Sequence, residues 1–209
     1  MRLLAVKILF LAFAITTQAL HIRSSPPRFL TNDCPSIQEV SFTAFIVDEH
    51  EILHQTFTCI DANFTVAAMS SGTFSRAPQK RSSIEARSAA ECTTPNPECQ
   101  CGAAADCGCF NNGPAPFAGD CSTLIGSTAV LSSLGGPTFI VPPNTFMAIT
   151  LNTCSLGFVN LATTNAEYCW DDLAAAGNDV VTCISELEIT SGLCVADDER
   201  FFTRLGPVN

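Results

Sequence analysis

Lysine is nearly missing from this 209-residue chain: there are two, Lys7 and Lys80, and none after Lys80. Histidine stops even earlier, with His21, His50 and His54 the only three. A chain this poor in base lacks the clustered Lys and Arg that phosphate binding needs, and its formal charge of −10 repels nucleic acid and anionic membranes. Beyond Arg81 there is no imidazole to serve a Ser or Cys nucleophile or to ligate zinc. Tyr168 and Trp170 are the only two aromatics besides 15 Phe, so the polar-tipped rings that line sugar-binding surfaces are scarce. No apolar run approaches the ~20 residues of a membrane-spanning helix. Charged residues reach only 14% against 47% apolar, which excludes a disordered polar tail as a description of the whole chain.

What the chain has in abundance is cysteine, 12 residues, and that points to disulfides in an oxidising compartment. The N-terminus agrees. Arg2 and Lys7 precede an apolar run from Ile8 to Ile15, and Thr17-Gln18-Ala19 offers a small-x-small cleavage site. Residues 1–19 read as a signal peptide cut after Ala19, so the protein is expected to be secreted and extracellular. Asn63-Phe64-Thr65 is an N-glycan acceptor sequence, with Asn63 the expected site. Asn152-Thr153-Cys154 is the rarer Cys variant, and Cys154 is expected in a bridge instead.

Composition shifts between residues 70 and 83, a small, polar, basic stretch that reads as a linker and contains the pair Lys80-Arg81. That pair is an expected kexin-type processing site. It divides the chain into an N-terminal module or pro-segment (20–81) and the remainder. Cys34 and Cys59 lie before it; Cys92, Cys99, Cys101, Cys107, Cys109, Cys121, Cys154, Cys169, Cys183 and Cys194 lie after it. Each side can therefore close its own bridges, with pairings left open. The module holds β-like runs over Glu39 to Val47, Thr56 to Ile60 and Phe64 to Met69.

Residues 82–119 are expected to be a Cys-rich irregular segment stapled by bridges. Its two Cys-x-Cys units fit disulfides better than a metal–thiolate site, whose spacing is wider. Residues 120–209 read as an α+β domain. Asp120 is a plausible N-cap for a helix over Cys121 to Leu134, stopped by Gly135-Gly136-Pro137. Thr138 to Val141 is a short strand; Phe146 to Cys154 alternates; Leu156 to Leu161 is a strand after a turn near Ser155. A second helix is expected from about Glu167 to Ile184, with Gly177-Asn178 as a potential break. A hairpin of Gly192 to Val195 with Glu199 to Leu205 closes the chain. The fold expected is thus α+β: a small disulfide-stapled domain with an antiparallel sheet and two helices, preceded by the Cys-rich irregular segment.

Asp120-Cys121 heading a helix, then Thr138-Phe139-Ile140-Val141, then Asn152-Thr153-Cys154-Ser155-Leu156-Gly157-Phe158, resembles secreted fungal killer-toxin-like effector domains. In that family a Cys-headed helix and a Thr-Cys-x-x-Gly strand precede a second helix and a closing strand. The resemblance covers residues 120–195. The block Glu167-Tyr168-Cys169-Trp170-Asp171-Asp172-Leu173 also resembles uncharacterised secreted proteins of basidiomycete fungi. Neither likeness supplies a catalytic residue; the first implies a secreted effector-like or toxin-like protein, the second a secreted one.

Only carboxylates remain as acid–base groups in the acidic half. Glu167 and Asp171, at i and i+4 of the expected helix beside Trp170, are the alternative catalytic pair of a glycoside hydrolase, whose carboxylates stand ~5–10 Å apart. Acidic residues in a helix's first turn also serve its dipole with no further role. Asp197-Asp198-Glu199 reads as a polar hairpin turn rather than a calcium loop. His50 and His54, four residues apart, could share a helix face as some metal ligands do, but the β-like run from Phe42 to Val47 before them favours two solvent-facing histidines. Residues 82–209 carry 14 acidic and three basic side chains, a balance of −11 that would steer a basic partner. The function expected is a secreted disulfide-rich binding protein, effector-like or toxin-like, without catalysis, cofactor or metal. A glycosidase and a structural cell-surface protein are the alternatives.

Overall fold

A computed structural model describes residues 36–59, 75–76 and 88–208. The expected signal peptide with Ala19, the cysteine Cys34, the expected acceptor Asn63, the β-like run Phe64 to Met69 and the expected processing pair Lys80-Arg81 all lie outside the described residues.

The chain opens with a hairpin, β1 (Ile37–Val47) and β2 (His50–Cys59). Asp48 and Glu49 both take positive φ at its two-residue turn, the geometry that matches the right-handed twist of paired strands. β3 (Ser75–Arg76) is two residues long, and a 3-10 turn at Ser88–Glu91 precedes β4 (Ala105–Phe110). Then come α1 (Ala118–Gly135), β5 (Thr138–Val141), β6 (Thr145–Leu151), β7 (Cys154–Asn160), β8 (Ala166–Cys169), α2 (Trp170–Ser185), β9 (Ser191–Ala196) and β10 (Phe201–Pro207). The fold is α+β. Eight strands form one antiparallel sheet in the order β1-β2-β6-β7-β10-β9-β4-β3, and β5 pairs β8 in a separate two-stranded sheet.

Both helices cover one face of the large sheet. Met147, Ile149 and Leu151 of β6, Leu156 and Phe158 of β7, Phe201 and Leu205 of β10 meet Leu124, Ile125, Leu173 and Val180 from the helices. Neighbouring residues on the same strands, Phe146, Val159 and Phe202, join Phe57 of β2, Phe110 of β4 and Leu193 of β9 in a second buried cluster on the opposite face. Buried on both faces, β6 reads as a near-continuous apolar run, Phe146 to Ile149, rather than a strict alternation.

Five disulfides pin this arrangement: Cys92–Cys99, Cys101–Cys169, Cys107–Cys194, Cys109–Cys183 and Cys121–Cys154. Cys59 is also disulfide-bonded. Four of the five close loops of 33 to 87 residues, each contributing on the order of 2–4 kcal/mol by restricting the unfolded chain.

Several local expectations are corrected. The expected irregular segment contains a sheet strand, β4, whose Cys107 pairs in register with Cys194 of β9. The turn between β6 and β7 falls at Asn152-Thr153, not near Ser155, because Asn152 accepts positive φ and Leu151 pairs Cys154. Asp120 is not the N-cap of α1. Phe117 holds that position without a side-chain bond, and Asp120 instead accepts from the Thr153 N–H and hydroxyl and from Asn152. α2 begins at Trp170, three residues later than expected, since Ala166 to Cys169 pair β5. It runs unbroken through Gly177, where a Cβ would stand 2.9 Å from Ile125 Cγ1, so the glycine lets the two helices approach closely. Finally, β2 pairs β6 from Leu53 to Thr58, so strands from before Lys80-Arg81 and after it share one sheet.

Candidate functional site

Glu167 and Asp171 do not form a pair on a helix face. Glu167 belongs to β8 and is 1% exposed, whereas Asp171 is exposed in the first turn of α2. The Glu167 carboxylate is fully engaged. It accepts from the Thr93 N–H (2.9 and 3.0 Å to its two oxygens), the Thr94 N–H (2.7 Å), and the hydroxyls of Thr93 (3.1 Å), Thr94 (2.6 Å) and Thr138 (2.8 Å). Its backbone adds two bonds to the same loop, accepting from Gln100 N–H and donating to the Glu98 carbonyl, both at 2.8 Å. Burial pushes this carboxyl up, but the bonds from the Thr94 and Thr138 hydroxyls and the Thr93 and Thr94 N–H groups outweigh it and hold the pKa at about 2. A glycosidase general acid needs the opposite, a carboxyl raised towards neutrality. Glu167 is therefore built to fasten the 93–100 loop, which Cys92–Cys99 and Cys101–Cys169 brace on either side.

Asp172, in the first turn of α2, is also buried and accepts from the Gly102 N–H at 2.6 Å. Together the two acids pin the Cys-rich loop to the start of α2. Burial, with the Asp172 charge added, pushes the neighbouring Tyr168 hydroxyl far up, so it stays neutral.

Two groups of sulfur and carboxylate atoms converge closely enough to hold an ion: Cys92, Cys99 and Cys101, and Cys101, Cys169 and Asp172. Every sulfur in them is already joined in a disulfide, which removes the thiolate a metal requires. Asp197, Asp198 and Glu199 form the β9–β10 turn, where Asp198 accepts from the Arg200 N–H. They do not figure among the convergent groups of the described residues.

His50 and His54 sit on β2 rather than a helix, so a four-residue step separates them by ~13 Å of extended chain. Only His50 faces solvent. His54 corrects the expectation: its ring packs 5.9 Å from that of Trp170 and 6.3 Å from that of Phe45, and burial lowers its pKa so that it stays neutral.

The surface that stands out is one that sequence reasoning did not single out. β1 is an edge strand, and among the described residues no strand pairs its outer side. Over its 11 residues there is no Lys, Arg or Pro, the residues that normally blunt an edge; a register shift between Glu39 and Ser41 is its one irregularity. Val40 is 61% exposed, Ile46 71% and Phe42 37%. Around this apolar stripe stand Glu39, Asp48, Glu49 and Glu51, all exposed, with His50 the only exposed basic residue of the hairpin. The even spacing of Val40, Phe42, Ala44 and Ile46 was the available signal. Which side of the strand would remain uncovered depends on where β1 joins the sheet, and local pattern does not carry that.

Fold and surface together define a class: a disulfide-stapled α+β protein whose sheet ends, among the described residues, in an acidic-rimmed apolar edge strand. Comparison of the chain with models of known families and with characterised proteins returned no match.

Proposed function

We propose that this is a secreted protein that acts by binding, effector-like or toxin-like, without a catalytic step, and that it takes an extended basic–apolar segment of its partner onto the outer edge of β1. The carrying observation is β1 itself, a long edge strand with exposed Val40 and Ile46 set among four exposed carboxylates. Strand addition draws affinity from unpaired backbone groups and specificity from alternate side chains. An acidic rim selects lysine- or arginine-bearing partners and raises their association rate. The signal peptide, the bridges and the resemblance of residues 120–195 to killer-toxin-like domains support an extracellular setting. The saturation of Glu167 weighs against the glycosidase alternative.

The test is binding of fluorescein-labelled ten-residue peptides to the purified protein. Alternating valine–lysine should bind, weaken as salt rises, and lose at least tenfold affinity on the double substitution Val40→Lys, Ile46→Lys. Equal binding of an alternating valine–glutamate peptide, or no effect of the double substitution, overturns the reading. Both substituted side chains are exposed, so the fold is retained.

A further inference from the structure

The segment before Lys80-Arg81 supplies both ends of the large sheet. β1 and β2 lie at one edge, with β2 on β6, and β3 lies at the other, where Ser75 pairs Cys109 and Arg76 pairs Gly108 of β4. The five central strands, β6-β7-β10-β9-β4, all come from after the dibasic pair. Attachment of the hairpin is more than backbone pairing: Ile52 is fully buried in the helix-side core, Phe57 stacks on Phe146 at 6.1 Å on the opposite face, and His54 packs edge-on against Trp170. Covalently, the two segments are separate. All ten cysteines after the pair close on one another, so the bridge of Cys59 involves none of them. The peptide chain through residues 77–87 is therefore the last covalent link between strands β1–β3 and the rest.

We infer that cutting at Lys80-Arg81 yields a two-chain protein in which the 20–81 fragment stays bound as a clasp over both sheet edges, without an interchain disulfide. The fragment is then a subunit rather than a discarded leader. It fills positions that the 82–209 fragment cannot leave empty, because removing it would expose the backbone edge of β6 and the apolar partners of Ile52 and Phe57. It also carries β1. This inference rests on strand pairing and on the bridges, and it stands whether or not β1 binds a partner.

The experiment cuts the purified full chain with a kexin-type protease and, in parallel, a version in which a sequence-specific protease site replaces Lys80-Arg81. Native mass spectrometry and gel filtration should show both fragments in one species of unchanged mass plus one water. Denaturing electrophoresis without reductant should separate them into two bands. Cut material carrying Phe57→Ala should release the fragment at ~100-fold higher concentration than the cut parent, in line with the loss of a buried ring between strands. Elution of 82–209 alone from the cut parent overturns the proposal, as does a single band without reductant, which would mean a covalent tie. Because no peptide ligand is involved, failure here leaves the β1 binding test intact, and the reverse holds too.

Discussion

Replacing Glu167 by Gln removes a charge while keeping size and shape, so it isolates what the carboxylate does. In the native protein both oxygens accept, together receiving two backbone N–H groups and three hydroxyls. Glutamine retains one acceptor oxygen and presents an NH2 where the Thr94 N–H and hydroxyl now donate. The hydroxyl can rotate and accept; the N–H cannot. At least one charge-assisted bond to backbone is lost outright and the others weaken, at ~1.5–3 kcal/mol for each bond to a charged group. Allowing for hydroxyl rotation, the net cost is about 3 kcal/mol at pH 7. For a chain of this size that lowers Tm by roughly 6–12 °C. The pH dependence has a definite sign. With a folded pKa of about 2 against an ordinary 4.5, the carboxylate contributes its full stability above pH 4.5 and loses it as pH falls towards 2. Differential scanning calorimetry of both proteins, bridges intact, should therefore show a Tm gap that is wide at pH 7 and narrows steadily below pH 4.5. A gap that is absent at pH 7, or that stays constant down to pH 2.5, refutes the reasoning.

Other outcomes follow from the same packing. Gly192→Ala would set a Cβ 2.2 Å from Val180 Cβ, driving α2 off β9; overpacking of this kind should cost ~2–3 kcal/mol in a urea melt. Asp120→Asn loses the charge in the bonds to Thr153 and Asn152 and should cost about 1 kcal/mol. The folded pKa of Asp120 lies below its usual value: burial raises it, and the bonds from Thr153 and Asn152 outweigh that. The cost should therefore vanish at acid pH. His54, neutral between Trp170 and Phe45, has a depressed pKa. Below pH 6.5 only the unfolded chain takes its proton at first, so stability should fall as pH drops from 6.5, and His54→Gln should flatten that part of a Tm–pH curve.

Local signals carried much of the fold. The stop at Gly135-Gly136-Pro137, the apolar steps of α2 and the turn at 197–199 are written within a few residues of where they act. Other features depend on partners distant in sequence. Glu167 reads as the first turn of a helix until Phe139 and Ile140, some 27 residues earlier, pair with its strand. Asp120 has the chemistry of an N-cap, yet its bonds go to a turn 32 and 33 residues on. β4 hides in a Cys-Gly-Cys sequence of poor strand propensity because neighbouring β9 and two bridges impose its conformation. The β1 surface was legible as a strand but not as an edge, since edge position is a property of the whole sheet.

Hydrogen exchange on the intact protein tests the central claim, capture of a partner strand by β1, most directly. Adding the alternating valine–lysine peptide should slow exchange of the backbone amides between Val40 and Ile46 that do not already bond to β2, and leave α1 and β10 unchanged. If the peptide binds while exchange in β1 is unaltered, the partner sits elsewhere and the account is contradicted.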